Sequence, residues 1–175
     1  MLRETGYAAG SDGGANSVRL RPTLQTDLDF VLRLEADPDT APLIHAWPIE
    51  EHRAAMSDPG VAHWIVEDAE QRAPVGFVIL RGLDTEVIEL RRIAISEKGR
   101  GYGTSAMRLV KEVVFGEMGA RRIWLDVYDF NDRARSIYEA EGFSVESERP
   151  AAEACGGCVE GTAILMSIET QSQDT

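Results

Sequence analysis

Hydrophobic and polar residues change their period several times along the chain, and each change predicts an element. "VRLRPTL" (18–24) alternates and predicts a first strand. "TDLDFVLRLEAD" (26–37) carries Leu28, Val31, Leu32 and Leu34 at helical spacing and predicts a helix capped by Thr26 or Asp27. Pro38, Pro42, Pro48 and Pro59 break residues 38–60 into loops around a short helix near 50–56. "VAHWIVED" (61–68), "PVGFVILRGL" (74–83) and "TEVIELRRIAIS" (85–96) predict three strands. Residues 101–118 place Ala106, Leu109, Val110, Val113 and Val114 on one helical face, with Gly119 as the stop. "RRIWLDVYD" (121–129) predicts a strand, and 131–142 a helix capped by Asn131 and ended by Gly142. "FSVESER" and "GTAILMSIE" predict closing strands.

Hairpin strands followed by β-α-β-α-β predict an α/β (α+β) chain with one mixed sheet flanked by helices. No repeat or internal boundary divides it, so one domain is expected over 17–169. The polar, small-residue segments 1–16 and 170–175 are expected to be disordered tails.

Charge sharpens this picture. The net charge is −12, which argues against nucleic acid or an anionic membrane surface as partner. Residues 91–135 nevertheless hold ten Lys or Arg against six Asp or Glu. That segment is +4, and the other 130 residues are −16. A basic island in an acidic chain suits a small polyanionic ligand, although solvated helix faces explain any one of its arginines better. No apolar run reaches membrane-spanning length, and the first residues lack the apolar stretch of a signal peptide. A cytoplasmic, reducing location is expected. Cys155 and Cys158 have metal or redox spacing, but no second ligand pair lies near them, and His45, His52 and His63 show no metal spacing. No metal is therefore expected.

The island contains "EKGRGYGTSAM" (97–107), in which Gly99, Gly101 and Gly103 stand among Lys98 and Arg100 at the start of a predicted helix. Unpaired N–H groups at a helix start, joined by nearby cations, form a phosphate site. The run is neither G-x-x-x-x-G-K-[ST] nor G-x-G-x-x-G, so it matches no common nucleotide loop. Taken alone, the glycines fit a tight turn as well as an anion site. A second constellation follows in "NDRARSIYEAEGF" (131–143): Asn131 at a helix start, Ala134, Tyr138 two turns on, then Gly142 and Phe143.

With both segments in this order, residues 18–168 resemble the GNAT superfamily of acetyl-CoA-dependent N-acetyltransferases. "AWPIEEH", "IELRRIAISEKGRGYG" and "IWLDVYDFNDRARSIYEAEGF" are similar to its ribosomal-protein N-acetyltransferase-like branch. "KGRGYG" matches the family loop at Gly101 and Gly103, and Lys98 stands where Gln or Arg is usual.

The resemblance implies acetyl-CoA held in a gap between two splayed central strands. Ile93, Ala94 and Ile95 would bind its pantetheine arm through their backbone. Arg100, Gly101, Tyr102, Gly103, Thr104 and Ser105 would offer N–H groups to the pyrophosphate, with Lys98 adding charge. Asn131 and the Ala134 turn would flank the cofactor. Arg133 and Arg135 would reach the nucleotide phosphates or, equally, form a solvated first helical turn.

Tyr138 would be the general acid on the leaving sulfur, its other reading being a core aromatic. Glu89 would be the general base, its other reading being an ion pair with Arg91 or Arg92; burial would raise the pKa of such a carboxylate. The implied activity is transfer of an acetyl group from acetyl-CoA to a primary amine by direct ternary-complex transfer, and the alternative is a non-catalytic acetyl-CoA-binding module. The acceptor wall would come from 38–60 and 146–162, with His45, Trp47, Glu50, Glu51 and His52 as candidates. The acidic excess favours a cationic amine or a protein N-terminus. Homodimers are common among similar proteins.

Overall fold

The structure, a computed structural model, describes residues 7–8, 17–155 and 160–170. Its strands are β1 (Tyr7–Ala8), β2 (Val18–Pro22), β3 (Val61–Asp68), β4 (Pro74–Arg81), β5 (Val87–Ile95), β6 (Arg122–Tyr128), β7 (Ser144–Pro150) and β8 (Thr162–Glu169). Its α-helices are α1 (Leu28–Glu35), α2 (Ile49–Ser57), α3 (Tyr102–Lys111), α4 (Asp132–Ala140) and α5 (Ala151–Cys155). The strands form one sheet in the order β1-β2-β3-β4-β5-β6-β8-β7. Every neighbouring pair is antiparallel except β5 and β6.

The central strands are apolar on both sides because each side meets a layer of helix. In β4, Val78 and Leu80 join the core beneath α3, while Phe77 and Ile79 join a second core beneath α1 and α2. β5 follows the same alternation with one slip. Ile88 and Leu90 face the α3 core, then Ile93 and Ile95, three residues on from Leu90, face it again. Ile79 pairs with Arg92 and Leu80 with Leu90, so Arg91 is the extra residue of a β-bulge.

Three features depart from the sequence expectations. Tyr7 and Ala8, expected in a disordered tail, pair with β2, because Tyr7 buries its ring against Trp64 with centroids 5.3 Å apart. The remainder of 1–16 lies outside the described residues. The helix expected over 101–118 is α only to Lys111 and continues as a π-helical segment, Glu112–Glu117, which keeps Val113 and Val114 both buried. The closing hairpin contains α5, whose Ala151 and Ala154 are buried. Thr170 still donates its N–H to the Arg121 carbonyl at 2.9 Å, and 171–175 lie outside the described residues. So does Cys158, and with it the Cys155/Cys158 spacing noted in the sequence. Among the described residues no helix is long and apolar enough to cross a membrane.

Candidate active site

β5 and β6 are paired over three rungs only: Val87 with Arg122, Ile88 with Ile123, and Glu89 with Trp124. Beyond them both strands run on, but apart. The gap opens into a cavity of about 470 Å³, reached by the loop before α3, by α4, by residues 40–45 and by α5. A splayed parallel pair leaves backbone hydrogen-bonding groups of β5 facing the cavity, which only another molecule could satisfy.

The glycine loop borders one side of the cavity. Gly99 and Gly101 have φ of 83° and 84°, the left-handed region that side-chain-bearing residues avoid. Gly101 is the N-cap of α3, and its carbonyl accepts the Ser105 N–H at 3.0 Å. The N–H groups of Tyr102, Gly103 and Thr104 therefore have no carbonyl within the helix to meet, and they stand at the positive end of its dipole. Lys98 donates to Thr40 Oγ1 at 3.3 Å, joining this loop to the wall at residue 40. Tyr102 has a part beyond its backbone: its buried hydroxyl donates to Asp68 Oδ2 at 2.7 Å and pins the loop to the end of β3. The N–H of Gln71 and the Tyr102 hydroxyl hold the Asp68 carboxyl below its ordinary range.

α4 supplies the other side. The Asn131 side chain caps it by accepting the Ala134 N–H at 3.2 Å. About two turns later Tyr138 is 8% exposed and borders the cavity. Burial raises the pKa of its hydroxyl, so the phenol keeps its proton. Glu89 lies at the closed end of the gap, half-buried and 3.5 Å from Arg91 Nη1.

The structure gathers most of the expected residues. Ile93, Ala94, Ile95, Lys98, Gly101, Tyr102, Gly103, Thr104, Asn131, Arg133, Ala134, Tyr138 and Glu89 all line the cavity. Three expected cofactor contacts do not. The Arg100 side chain turns back to Glu97 and lies over the Tyr102 ring at 5.5 Å. Ser105 has spent its N–H inside the helix. Arg135 bonds the Asp129 carbonyl at 3.3 Å and lies 3.9 Å from Glu139. Of the expected wall residues, His45 lines the cavity, Trp47 and His52 are buried in the α1–α2 layer, and Glu50 and Glu51 are exposed elsewhere.

The sequence expectations missed Glu35, Arg92 and Asp126. Arg92 pairs with Glu35, not Glu89. Asp126 lines the cavity and is held by Arg149. A charged residue inside an apolar run, as in "VLRLEAD" and "IELRRIAI", was the available signal.

A family profile described as "Acetyltransferase (GNAT) domain" matches residues 17–144, and the chain belongs to that family. It is an acetyltransferase whose cofactor is acetyl-CoA. Spermidine N(1)-acetyltransferase of Escherichia coli (strain K12) is 28% identical over 145 residues, 77% of this chain and 76% of that relative. Among solved structures, a spermidine N-acetyltransferase from Vibrio cholerae in complex with CoA and spermine superposes with a TM-score of 0.74. Its identity is 21%, over 87% of this chain and 95% of that one. Mycobacterium smegmatis RimJ in complex with CoA-disulfide gives 0.73 at 17% identity, over 97% and 88%. At such identities the structural likeness is one of fold.

Proposed function

We propose that this chain acetylates a primary amine, most readily that of a small cationic molecule and secondarily a protein N-terminus, with both substrates bound together. The observation that carries this reading is one continuous cavity joining the left-handed glycine loop to Tyr138 and Glu89 through the gap between β5 and β6. The donor set fits the cofactor. The N–H groups of Tyr102, Gly103 and Thr104, with Lys98, would hold the pyrophosphate, the open edge of Ile93–Ile95 would hold the pantetheine arm, and Arg133 would take a nucleotide phosphate. When bound there, acetyl-CoA supplies an acetyl group activated as a thioester.

The remaining chemistry falls to the chain. An amine attacks only when neutral, so a base must accept its proton; Glu89 holds that place, directly or through a water. The thiolate leaves most easily with a proton, and the Tyr138 hydroxyl, kept protonated by burial, donates it. That the Escherichia coli relative is a spermidine N(1)-acetyltransferase supports a polyamine as the first acceptor to try.

The test is thiol release from acetyl-CoA with spermidine, an uncharged primary amine and a short peptide. Spermidine should be fastest, and reciprocal plots against the two substrates should intersect. Thiol release that no amine raises above the buffer rate would overturn the reading. Parallel plots would overturn the ternary complex.

A further inference from the structure

We propose that Arg91 and Arg92, adjacent at the bulge of β5, are positioning residues that hold the two walls of the acceptor end and thereby select the amine. The proposal rests on the amine-acetyltransferase reading above.

Two consecutive arginines in a strand whose one other charge is Glu89 are expensive to bury without partners; both have them, although Arg91 Nε is left buried without one among the described residues. Strict alternation would separate them across the sheet. The bulge breaks that alternation and lets both border the cavity while reaching different neighbours.

Arg92 is 5% exposed. One of its Nη groups binds the Glu35 carboxylate, and the other donates to the His45 carbonyl. Its guanidinium lies 4.7 Å from the centre of the Trp47 ring. The second Glu35 oxygen accepts the Trp47 N–H at 3.0 Å. The pair thus grips His45–Trp47 at both ends, a carbonyl at one and an N–H at the other.

Glu35 is itself oriented by a chain of buried rings. His52 Nε2 lies 3.3 Å from the same Glu35 oxygen, so it must carry the hydrogen. In a neutral His52, Nδ1 then accepts from His63 Nε2 at 2.9 Å, and His63 Nδ1 accepts from the Thr23 hydroxyl at 2.8 Å. With His52 neutral, the hydrogen bonds of this relay run in one direction, from the Thr23 hydroxyl through both rings to Glu35.

Arg91 serves the opposite wall. Its Nη1 donates to the Ala154 carbonyl at 3.2 Å and lies 3.5 Å from Glu89. Ala154 is buried in α5 and lines the cavity. Two neighbours on one strand therefore fix wall segments from far parts of the chain, and both are referenced to Ile93–Ile95 next to them. A shift of either wall changes where an amine sits relative to the thioester, while the pyrophosphate loop has its own anchor in Tyr102 on Asp68.

The test compares wild type with Arg92→Lys, Glu35→Gln and Arg91→Met. It measures KM and kcat for the amine panel, CoA affinity by calorimetry, and hydrogen exchange over 43–48 and 150–155. Lysine keeps the charge of Arg92 but cannot span two partners. Arg92→Lys should raise amine KM roughly tenfold or more, the worth of one hydrogen bond to a charged group. It should also reorder the amines, speed exchange only over 43–48 and leave CoA affinity within about twofold. Glu35→Gln, which retains acceptor and shape, should show a smaller change of the same kind. Arg91→Met should loosen only 150–155.

The proposal is overturned if amine KM and ranking are unchanged, or if CoA affinity falls in step with amine KM. A wild type that binds CoA but acetylates no amine would remove the acetyltransfer reading and the claim on amine choice together. The claim on the walls then stands or falls on the segment-specific exchange alone. Should Arg92→Lys fail to fold, the double variant Glu35→Gln/Arg92→Met, which buries no lone charge, carries the same comparison.

Discussion

Glu89 and Trp124 face each other across the last rung that joins β5 to β6, and above them the strands part. The carboxylate therefore sits where the sheet ends and the cavity begins. Replacing Glu89 with glutamine should slow acetylation by roughly 10²–10⁴-fold, the range of general-base assistance. A variant that turns over at the wild-type rate would assign Glu89 to the Arg91 ion pair alone.

Tyr138→Phe should leave CoA affinity near wild type and lower kcat by roughly 10²–10⁴-fold. The ring still fills its place against Phe143, 5.8 Å away, so folding should be spared. Calorimetry and initial rates on the same preparation separate the two. Unchanged kcat would leave Tyr138 a core aromatic.

Gly101→Asp should abolish measurable CoA binding. The backbone at φ 84° strains any side-chain-bearing residue by about 1–2 kcal/mol, and a carboxylate beside the first N–H groups of α3 repels the pyrophosphate. Gly101→Ala carries only the strain and should bind more weakly than wild type but detectably. Equal loss in both would mean the strain alone matters.

Gly76 guards the splay from behind. A Cβ there would lie 2.3 Å from the Ala94 carbonyl oxygen and 2.6 Å from Ile95 Cδ1. Gly76→Ala must push β5 aside, which should destabilise the fold by about 1–3 kcal/mol and weaken CoA binding, because the displaced backbone is that of the proposed pantetheine site. Urea unfolding and calorimetry test both halves. An unaltered midpoint would show that β5 yields freely.

The buried histidines predict a stability profile. Burial, and then the neighbouring His52, lowers the pKa of His63 from 6.5 to about 4. Above pH 6.5 neither folded nor unfolded chain protonates it. Between 6.5 and about 4 the unfolded chain takes a proton that the folded chain refuses, so stability falls on acidification, by up to about 3 kcal/mol. Asp27 and Glu35, whose pKa values are lowered in the fold, add loss of the same sign further down as they are protonated. Urea titrations across this range should give a slope that flattens in His63→Gln. An identical slope in the variant would place the effect elsewhere.

The elements that bound the site were legible because their signals are local. Asn131 caps α4 through its own side chain, Gly142 ends it at φ 93°, and Gly119 stops the helix before β6 at φ 68°. The glycine loop was legible for the same reason. What escaped depended on contacts between distant segments. The Glu35–Arg92 pair spans 57 residues, and no period or motif links its members. The bulge at Arg91 is a register slip that only the partner strand reveals. Tyr7 joins the sheet because Trp64 offers its ring a partner, which its polar surroundings in the sequence conceal. Arg135 fits the pattern of a phosphate ligand, yet nearby Glu139 draws its side chain away.

The three rungs between β5 and β6 also divide the sheet mechanically. One half, β1 to β5, is zipped by antiparallel ladders, and the other, β6 with β8 and β7, is zipped separately. Across the seam the halves share one apolar core, which holds Ile88 and Met107 together with Ile123 and Tyr138, and Glu141 after α4 holds Arg108 and Lys111 of α3 at 2.8 and 3.0 Å. Under load, or at low denaturant, the backbone should part first at these three rungs, leaving two units joined by that core. A molecule bridging the gap would then act as a rivet, and saturating CoA should merge the two units into one.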